Sequence, residues 1–161
     1  MVKFTSKKKQ SKGMNKMIVE NKKIEKACSF YVSDFHLEMI LMPCINKKIE
    51  NNEEVVITTE KDLRESVEIL ISKMNIKESN KEKILNLGWN KSEKLPIDEK
   101  KNVIVIGTEQ YIQKINKEIE KSSPDSINII NCYNFEEVKD NINEIVKSHN
   151  ESLNTIGFNK F

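Results

Sequence analysis

Glycine is scarce in this chain, and its scarcity excludes one large class of nucleotide-binding site. The 161 residues contain only Gly13, Gly88, Gly107 and Gly157. None of them begins the GxxxxGK(S/T) loop that cradles phosphates after a strand, and the dinucleotide motif GxGxxG is absent as well. Gly107 alone follows a long apolar run, and a turn is the ordinary role of a glycine there. The sequence therefore lacks the backbone loop on which most nucleotide hydrolases depend.

Cysteine, histidine and long apolar runs are scarce too. The three cysteines, Cys28, Cys44 and Cys132, have no CxxC spacing, so we expect buried free thiols in a reducing compartment. The only histidines are His36 and His149, and their spacing indicates no metal site. No apolar run reaches the length of about 18 residues that spans a membrane, and the lysine-rich N-terminus has no apolar signal region. These absences predict a cytoplasmic protein with no membrane contact and no cofactor.

The charge is concentrated at the N-terminus. Charged residues make up 32% of the chain, but the net charge is only +2. Lysines collect in residues 1–16 with no acid among them, which predicts a flexible basic tail followed by a single α/β domain over residues 17–161. A nucleic-acid contact would involve only the segment Lys3–Lys16, whose lysines could displace counterions.

The run Val103-Ile104-Val105-Ile106 is the clearest structural feature of the sequence. It has no polar break, so the strand that it predicts should be covered on both faces, as in a parallel sheet between helices. Gly107 follows, and apolar residues then recur at helical spacing: Tyr111, Ile112, Ile115 and Ile119. Strand, turn and helix make half of a βαβ unit, and the same rhythm recurs along the chain.

Five strands are predicted from apolar and β-branched runs, at residues 28–32, 54–59, 84–89, 102–107 and 127–133. Helical periodicity separates most of them, and residues 90–101 are expected to form a surface loop. Ser33 should begin the first helix, and Pro43 should either kink it or mark its true start. The C-terminal residues 150–161 are expected to add a short strand. Together these features predict a three-layer α/β fold with a mostly parallel sheet of about five strands flanked by helices.

Ligands bind beyond the carboxyl ends of the strands in such sheets. The candidate binding residues are therefore those that end or follow predicted strands: Ser33, Asp34, His36, Thr58, Thr59, Glu60, Trp89, Gly107, Thr108, Glu109, Tyr133 and Asn134. Tyr133 is expected to pack its ring against the end of the sheet and to present its hydroxyl at the edge. Trp89 is expected at the same edge, where it could cover a ligand.

Several stretches resemble the MEDS sensory-domain family, the sensory module of methylotroph and methanogen regulators. They are Cys28-Ser29-Phe30-Tyr31 with the helix that contains Pro43, residues 49–60, and Asn131-Cys132-Tyr133-Asn134-Phe135 leading to His149. The similar region spans residues 26–157. The resemblance implies a RecA-like or Rossmann-like α/β fold without a phosphate loop, and a role in sensing small organic molecules.

The leading functional hypothesis is accordingly a non-catalytic regulatory module that binds a small organic ligand or a signalling protein at the carboxyl edge. Modules of this family are commonly joined to DNA-binding or kinase domains, and no such domain is recognisable here, so we expect action through a partner or through self-association. One alternative is a small nucleotide-using or hydrolytic enzyme with Asp34, Glu60 and Glu109 as its acids or Mg²⁺ ligands. Another is a nucleic-acid adaptor that acts through the basic tail.

Overall fold

The described part of the chain comprises residues 23–92, 101–122 and 126–161 of a computed structural model. The basic tail predicted for residues 1–16 and most of the loop predicted for residues 90–101 lie outside these ranges. Among the described residues, no helix combines the length and apolar character needed to cross a membrane.

The described strands form one sheet of six. They are β1 Ile24–Tyr31, β2 Val55–Thr59, β3 Asn102–Ile106, β4 Ile127–Asn134, β5 Glu151–Asn154 and β6 Gly157–Lys160. Their spatial order is β2-β3-β4-β1-β5-β6, and every neighbouring pair is parallel except the β5–β6 hairpin. The prediction of an α/β fold with a mostly parallel sheet of the RecA-like or Rossmann-like kind is confirmed.

Helices cover both faces of this sheet. They are α1 Asp34–Glu50, α2 Arg64–Ser72, α3 Glu78–Leu85, α4 Glu109–Ser122, α5 Phe135–Val138 and α6 Ile142–Lys147. Apolar side chains of α1, α2 and α3 pack on one face, which we call the α1 face, and those of α4, α5 and α6 pack on the other, the α4 face. Every residue of β3 is buried, as its unbroken apolar run predicted.

The first helix begins where its capping residue predicted, and not at its proline. The Ser33 hydroxyl accepts a hydrogen bond from the backbone N–H of His36 at 3.1 Å, which satisfies one free donor of the first turn. The helix then continues through Pro43 as far as Glu50. Pro43 and Met39 both lie on the exposed side of α1, so water can bond the carbonyl that the proline leaves without a donor.

The prediction of a strand over residues 84–89 is wrong. Helix α3 continues to Leu85, and the next residues run along the outer edge of β2 with a single bridge, between Thr59 and Lys91. Gly88 allows this close approach, because its φ is +118° and a Cβ there would lie 2.4 Å from the Ile57 carbonyl oxygen. A short apolar run does not distinguish a helix end from a buried strand, and here the tertiary contact with β2 decides.

Two further expectations need correction near the C-terminus. The spacing of Phe135, Val138, Ile142, Ile145 and Val146 predicts one last helix. That helix is interrupted between α5 and α6, where the backbone N–H of Asn141 bonds the carbonyl of Val138 at 2.7 Å and closes a turn. The side-chain amide of Asn141 is at the same time bonded to Glu109 of α4. After α6 the chain forms the β5–β6 hairpin, and not a single short strand, with Gly157 at φ +131° as the first residue of β6.

The strand order creates a switch point between β1 and β4. The chain leaves β1 through α1 for β2 at the far edge, whereas it leaves β4 through α5 and α6 for β5 on the other side of β1. The two connections therefore diverge from neighbouring strands onto opposite faces. A crevice at such a point is where open α/β sheets bind ligands.

We expect Gly88→Ala to lower the free energy of unfolding by about 2 kcal/mol or more, because it adds a backbone clash to an unfavourable φ. Gly157→Ala is the matched control, since its φ is also positive but nothing lies within 4 Å of the added methyl group. It should cost only about 1 kcal/mol. Urea unfolding of both variants measures the difference, and equal losses would contradict the close contact between residue 88 and β2.

Candidate functional site

Three candidate residues at the carboxyl edge form hydrogen bonds with nearby backbone groups. Ser33 caps α1, and His36 accepts the backbone N–H of Val32 through Nδ1 at 3.0 Å. Asn134 caps α5 by accepting the N–H of Glu136 at 3.0 Å. These contacts explain the side chains without a ligand.

The two threonines that end β2 are buried. Thr58 bonds the Tyr111 hydroxyl at 2.7 Å, and the Tyr111 hydroxyl in turn donates to the carbonyl of Ser92 at 2.6 Å. Thr59 Oγ1 donates to the carbonyl of Lys61 and accepts its N–H, which closes the turn after β2. Both threonines thus hold the edge together from inside.

Glu60 occupies the place where an anion would bind. Its Oε1 accepts the backbone N–H of Thr108 at 2.8 Å, directly before α4, while Thr108 Oγ1 accepts the N–H of Tyr111. A Cβ on Gly107 would lie 2.6 Å from the Tyr111 ring and 2.9 Å from the Glu60 carboxylate, so only glycine fits between them. The positive end of a helix commonly binds phosphate, but here the carboxylate of the protein already takes that position.

The acids of the edge are held in separate contacts. Asp34 pairs with Lys61 at 2.5 Å, and the ammonium group of Lys61 lies 5.0 Å from the centre of the Tyr31 ring. Burial alone would lower the pKa of Lys61, but the bond to Asp34 and the neighbouring Tyr31 outweigh it and raise the pKa. Glu109 is bonded to Asn141 at 2.7 Å. In the described ranges, no three His, Cys, Asp or Glu side chains are placed to hold a metal ion.

Trp89 does not lie at the binding edge. Its side chain is 1% exposed within the core of the α1 face, and Nε1 donates to the carbonyl of Ile84 at 2.7 Å. The segment after α3 runs beside β2, and the Trp89 side chain packs into the core and not onto the surface of the edge.

Glu109 and Tyr133 meet in a groove on the α4 face. This groove of about 510 Å³ lies between α4 and α6, and we call it the α4–α6 groove. Besides these two, it is lined by Lys26, Ile112, Gln113, Asn116, Lys117, Glu120, Asn131, Asn141, Glu144, Ile145, Ser148 and His149. It begins at the carboxyl edge, where α4 starts, and follows the helix across the sheet.

Tyr133 is the unusual residue of this groove. Its ring stacks on Phe30 with centroids 5.8 Å apart and meets the His149 ring edge-on at 6.0 Å. The side chain is 4% exposed, yet in the described structure its hydroxyl makes no hydrogen bond. Burial, with smaller contributions from Cys28 and Glu109, raises the pKa of the phenol far above its usual range, so the group stays a neutral donor. A buried hydroxyl without a partner is costly unless a ligand or water completes it.

A chain of buried amides lies deeper in the groove. Asn116 of α4 and Asn131 of β4 exchange hydrogen bonds of 2.9 Å and 3.1 Å, and Asn131 also bonds His149 Nε2 at 3.0 Å. None of these three residues is among those predicted to bind a ligand. Asn131 did interrupt an apolar strand, and Asn116 lay on the apolar face of a predicted helix, which together were the available signs of a buried polar pair.

Comparisons of the chain with protein-family models, with curated proteins and with solved structures find no match.

Two tyrosines of similar burial should differ in how much stability they lose with the hydroxyl. Tyr111→Phe should lower the free energy of unfolding by about 1–3 kcal/mol, because it removes the bonds to Thr58 and Ser92. Tyr133→Phe should change it by less than about 0.5 kcal/mol, or raise it slightly, because no bond is lost. Urea denaturation of the two variants decides, and a comparable loss in Tyr133→Phe would reveal a structural partner for that hydroxyl.

Proposed function

We propose that this protein is a non-catalytic regulatory module that binds a small polar ligand in the α4–α6 groove, at the carboxyl edge of its sheet. One observation carries the proposal: Tyr133 is buried and lines the groove, and its hydroxyl has no partner among the described residues. A volume of about 510 Å³ lies within the range typical of small-molecule sites.

The lining describes the ligand in chemical terms. The Tyr133 hydroxyl offers a donor and an acceptor, and Glu109 offers a carboxylate oxygen that its bond to Asn141 leaves available. A ligand that fits both would carry at least one donor and one acceptor close together.

The absence of catalysis is part of this proposal. The acids expected to converge are instead engaged in three contacts, with Lys61, Thr108 and Asn141. The backbone donors at the start of α4 are partly taken by Glu60 and Thr108. This arrangement favours binding over hydrolysis, and the protein should not turn over ATP or GTP.

The regulatory part of the proposal follows the resemblance to MEDS sensory domains. We propose a cytoplasmic location and a signalling protein or a second copy as the partner that receives the signal. The three free cysteines, two of them buried in strands, support a reducing compartment.

A second groove of similar size lies between α1 and the β5–β6 hairpin, and it is the competing position for a ligand. Its volume is about 520 Å³, and its lining includes Ile156 and Phe158, which are 92% and 43% exposed. We favour the α4–α6 groove because it contains the unpartnered hydroxyl.

Native mass spectrometry of the full chain would first show any copurified small molecule. Two-dimensional amide NMR with a panel of small amines, amides, carboxylic acids, sugars and nucleosides then locates binding. We expect the chemical-shift changes to cluster on residues of α4, β4 and α6. The affinity for the ligand should fall at least tenfold in Tyr133→Phe and Glu109→Gln. Lys61→Gln changes charge elsewhere on the same edge and should bind normally.

Two outcomes would contradict this function. One is binding that maps to the second groove or survives both groove substitutions unchanged. The other is hydrolysis of ATP or GTP at ordinary enzyme rates that is lost in Glu60→Ala or Glu109→Ala.

A further inference from the structure

The buried amides belong to a chain of hydrogen bonds that ends on two backbone carbonyls. At one end Asn116 Nδ2 donates to the carbonyl of Ile112 at 2.9 Å. At the other end His149 Nδ1 lies 2.6 Å from the carbonyl of Ile145 and 3.1 Å from Ser148 Oγ, whose own hydrogen is donated to that same carbonyl. Between them stand the exchanged bonds of Asn116 and Asn131 and the contact from Asn131 to His149 Nε2.

The two carbonyls determine the direction of every bond between them. A carbonyl can only accept, so Asn116 must point an N–H at Ile112, and its oxygen is left to accept from Asn131. Asn131 then has one N–H remaining, which it donates to His149 Nε2. The ring nitrogen that faces Ile145 must carry the hydrogen. All four contacts are therefore satisfied only when His149 is neutral, with its proton on Nδ1.

Protonation of His149 breaks this chain. The imidazolium would point an Nε2–H at the N–H of Asn131, and two donors repel. If the Asn131 amide turned over, its oxygen would face the oxygen of Asn116 and its N–H the N–H of Asn116. If both amides turned over, the oxygen of Asn116 would face the carbonyl oxygen of Ile112. No rotation of the two amides repairs the mismatch, so the histidine must move.

We propose that His149 is a proton-sensitive latch of the α4–α6 groove: in its neutral form it holds the end of α6 against β4 and Tyr133, and on protonation it releases them. His149 contacts the ring of Tyr133 edge-on, and its neighbour Asn150 bonds the backbone of Lys26 in β1 through both its N–H and its side chain. Displacement of the ring thus disturbs one wall of the groove. The effect on ligand affinity rests on the proposed function, whereas the latch itself does not.

The groove is lined by charged groups of both signs. They are Lys26 of β1, Glu109, Lys117 and Glu120 of α4, and Glu144 of α6. Lys26 is paired with Glu120 at 3.0 Å, and Glu144 with Lys147 at 3.4 Å. Burial lowers the pKa of His149, the Ile145 carbonyl opposes this, and Lys26 lowers the pKa further. The latch is therefore closed at neutral pH and opens in acid.

The stability of the fold should follow the same equilibrium. The folded pKa of His149 lies below that of the unfolded chain, so the unfolded state binds more protons between the two values. The contribution of His149 to stability is then fully present above the unfolded pKa of about 6.5 and is lost as the pH falls towards the folded value.

The chain offers a clean measurement because His36 is its only other histidine. NMR of the imidazole ¹⁵N nuclei in the full chain, between pH 4.5 and 8, reports tautomer and midpoint for both rings. We expect His149 to be the Nδ1–H tautomer at pH 7.5 and to titrate below 6.5. The amide resonances of Asn131 and Tyr133 should change with the midpoint of His149.

Three variants test the geometry. Asn131→Asp replaces the donor that faces Nε2 by an acceptor for the imidazolium, so the midpoint of His149 should rise by about one pH unit or more. Gln113→Glu adds the same charge on the exposed wall of the groove and should raise it much less. His149→Gln keeps an acceptor for Asn131 but cannot titrate, so the pH response of Tyr133 should disappear. This last variant decides the matter even if Asn131→Asp does not fold.

The latch is overturned if His149 is protonated on Nε2 at pH 7.5, if it titrates at or above 6.5, or if the groove resonances ignore its midpoint. An equal rise of the His149 midpoint in Asn131→Asp and Gln113→Glu would also overturn it. These measurements use no ligand, so a functioning latch in a groove that binds none of the probes would refute only the proposed function.

Discussion

The pairing of β1 with β4 is the interaction on which the rest of the structure depends. These strands are matched in parallel over eight positions, from Ile24 with Ile127 to Tyr31 with Asn134. The other long ladders, β2 with β3 and β3 with β4, have five. The register places Phe30 beside Tyr133, so their stacking follows directly from it. It also fixes where α1 and α5 leave the sheet, and hence the switch point between them.

At the neighbouring strand ends, an internal contact replaces what a ligand would otherwise supply. Glu60 bonds the N–H of Thr108 before α4, and the missing side chain of Gly107 makes room for both Glu60 and Tyr111. A carboxylate near a helix N-terminus stabilises the helix through the same charge that attracts a phosphate. Strand, turn and helix here have the arrangement that binds phosphate in other proteins, but an acid of the protein itself accepts the free N–H of the turn.

Features that depend on residues close in the chain could be predicted from the sequence, whereas those that depend on tertiary contacts could not. The apolar run of β3 and the cap at Ser33 depend on residues close in the chain, so they could be predicted. The position of Trp89 depends on the approach of Gly88 to β2, which no periodicity encodes. The strand-end rule selected Tyr133 and Glu109 for the groove, whereas it also selected threonines that serve the interior. The amide pair was missed because its partners lie on different elements and only the fold brings them together.

The buried amides raise a question that stability alone does not answer. Asn116 and Asn131 are 6% and 1% exposed on a face filled mainly by isoleucine and valine. Replacing a buried hydrogen-bonded pair by apolar groups of similar shape is often neutral or favourable, so the pair is a poor source of folding energy. What the pair does supply is a fixed order of donors and acceptors towards His149. An apolar pair could fill the same volume, but it could not determine which nitrogen of His149 carries the proton. The amides thus make one wall of the groove depend on a single protonation state, which a purely apolar core could not do.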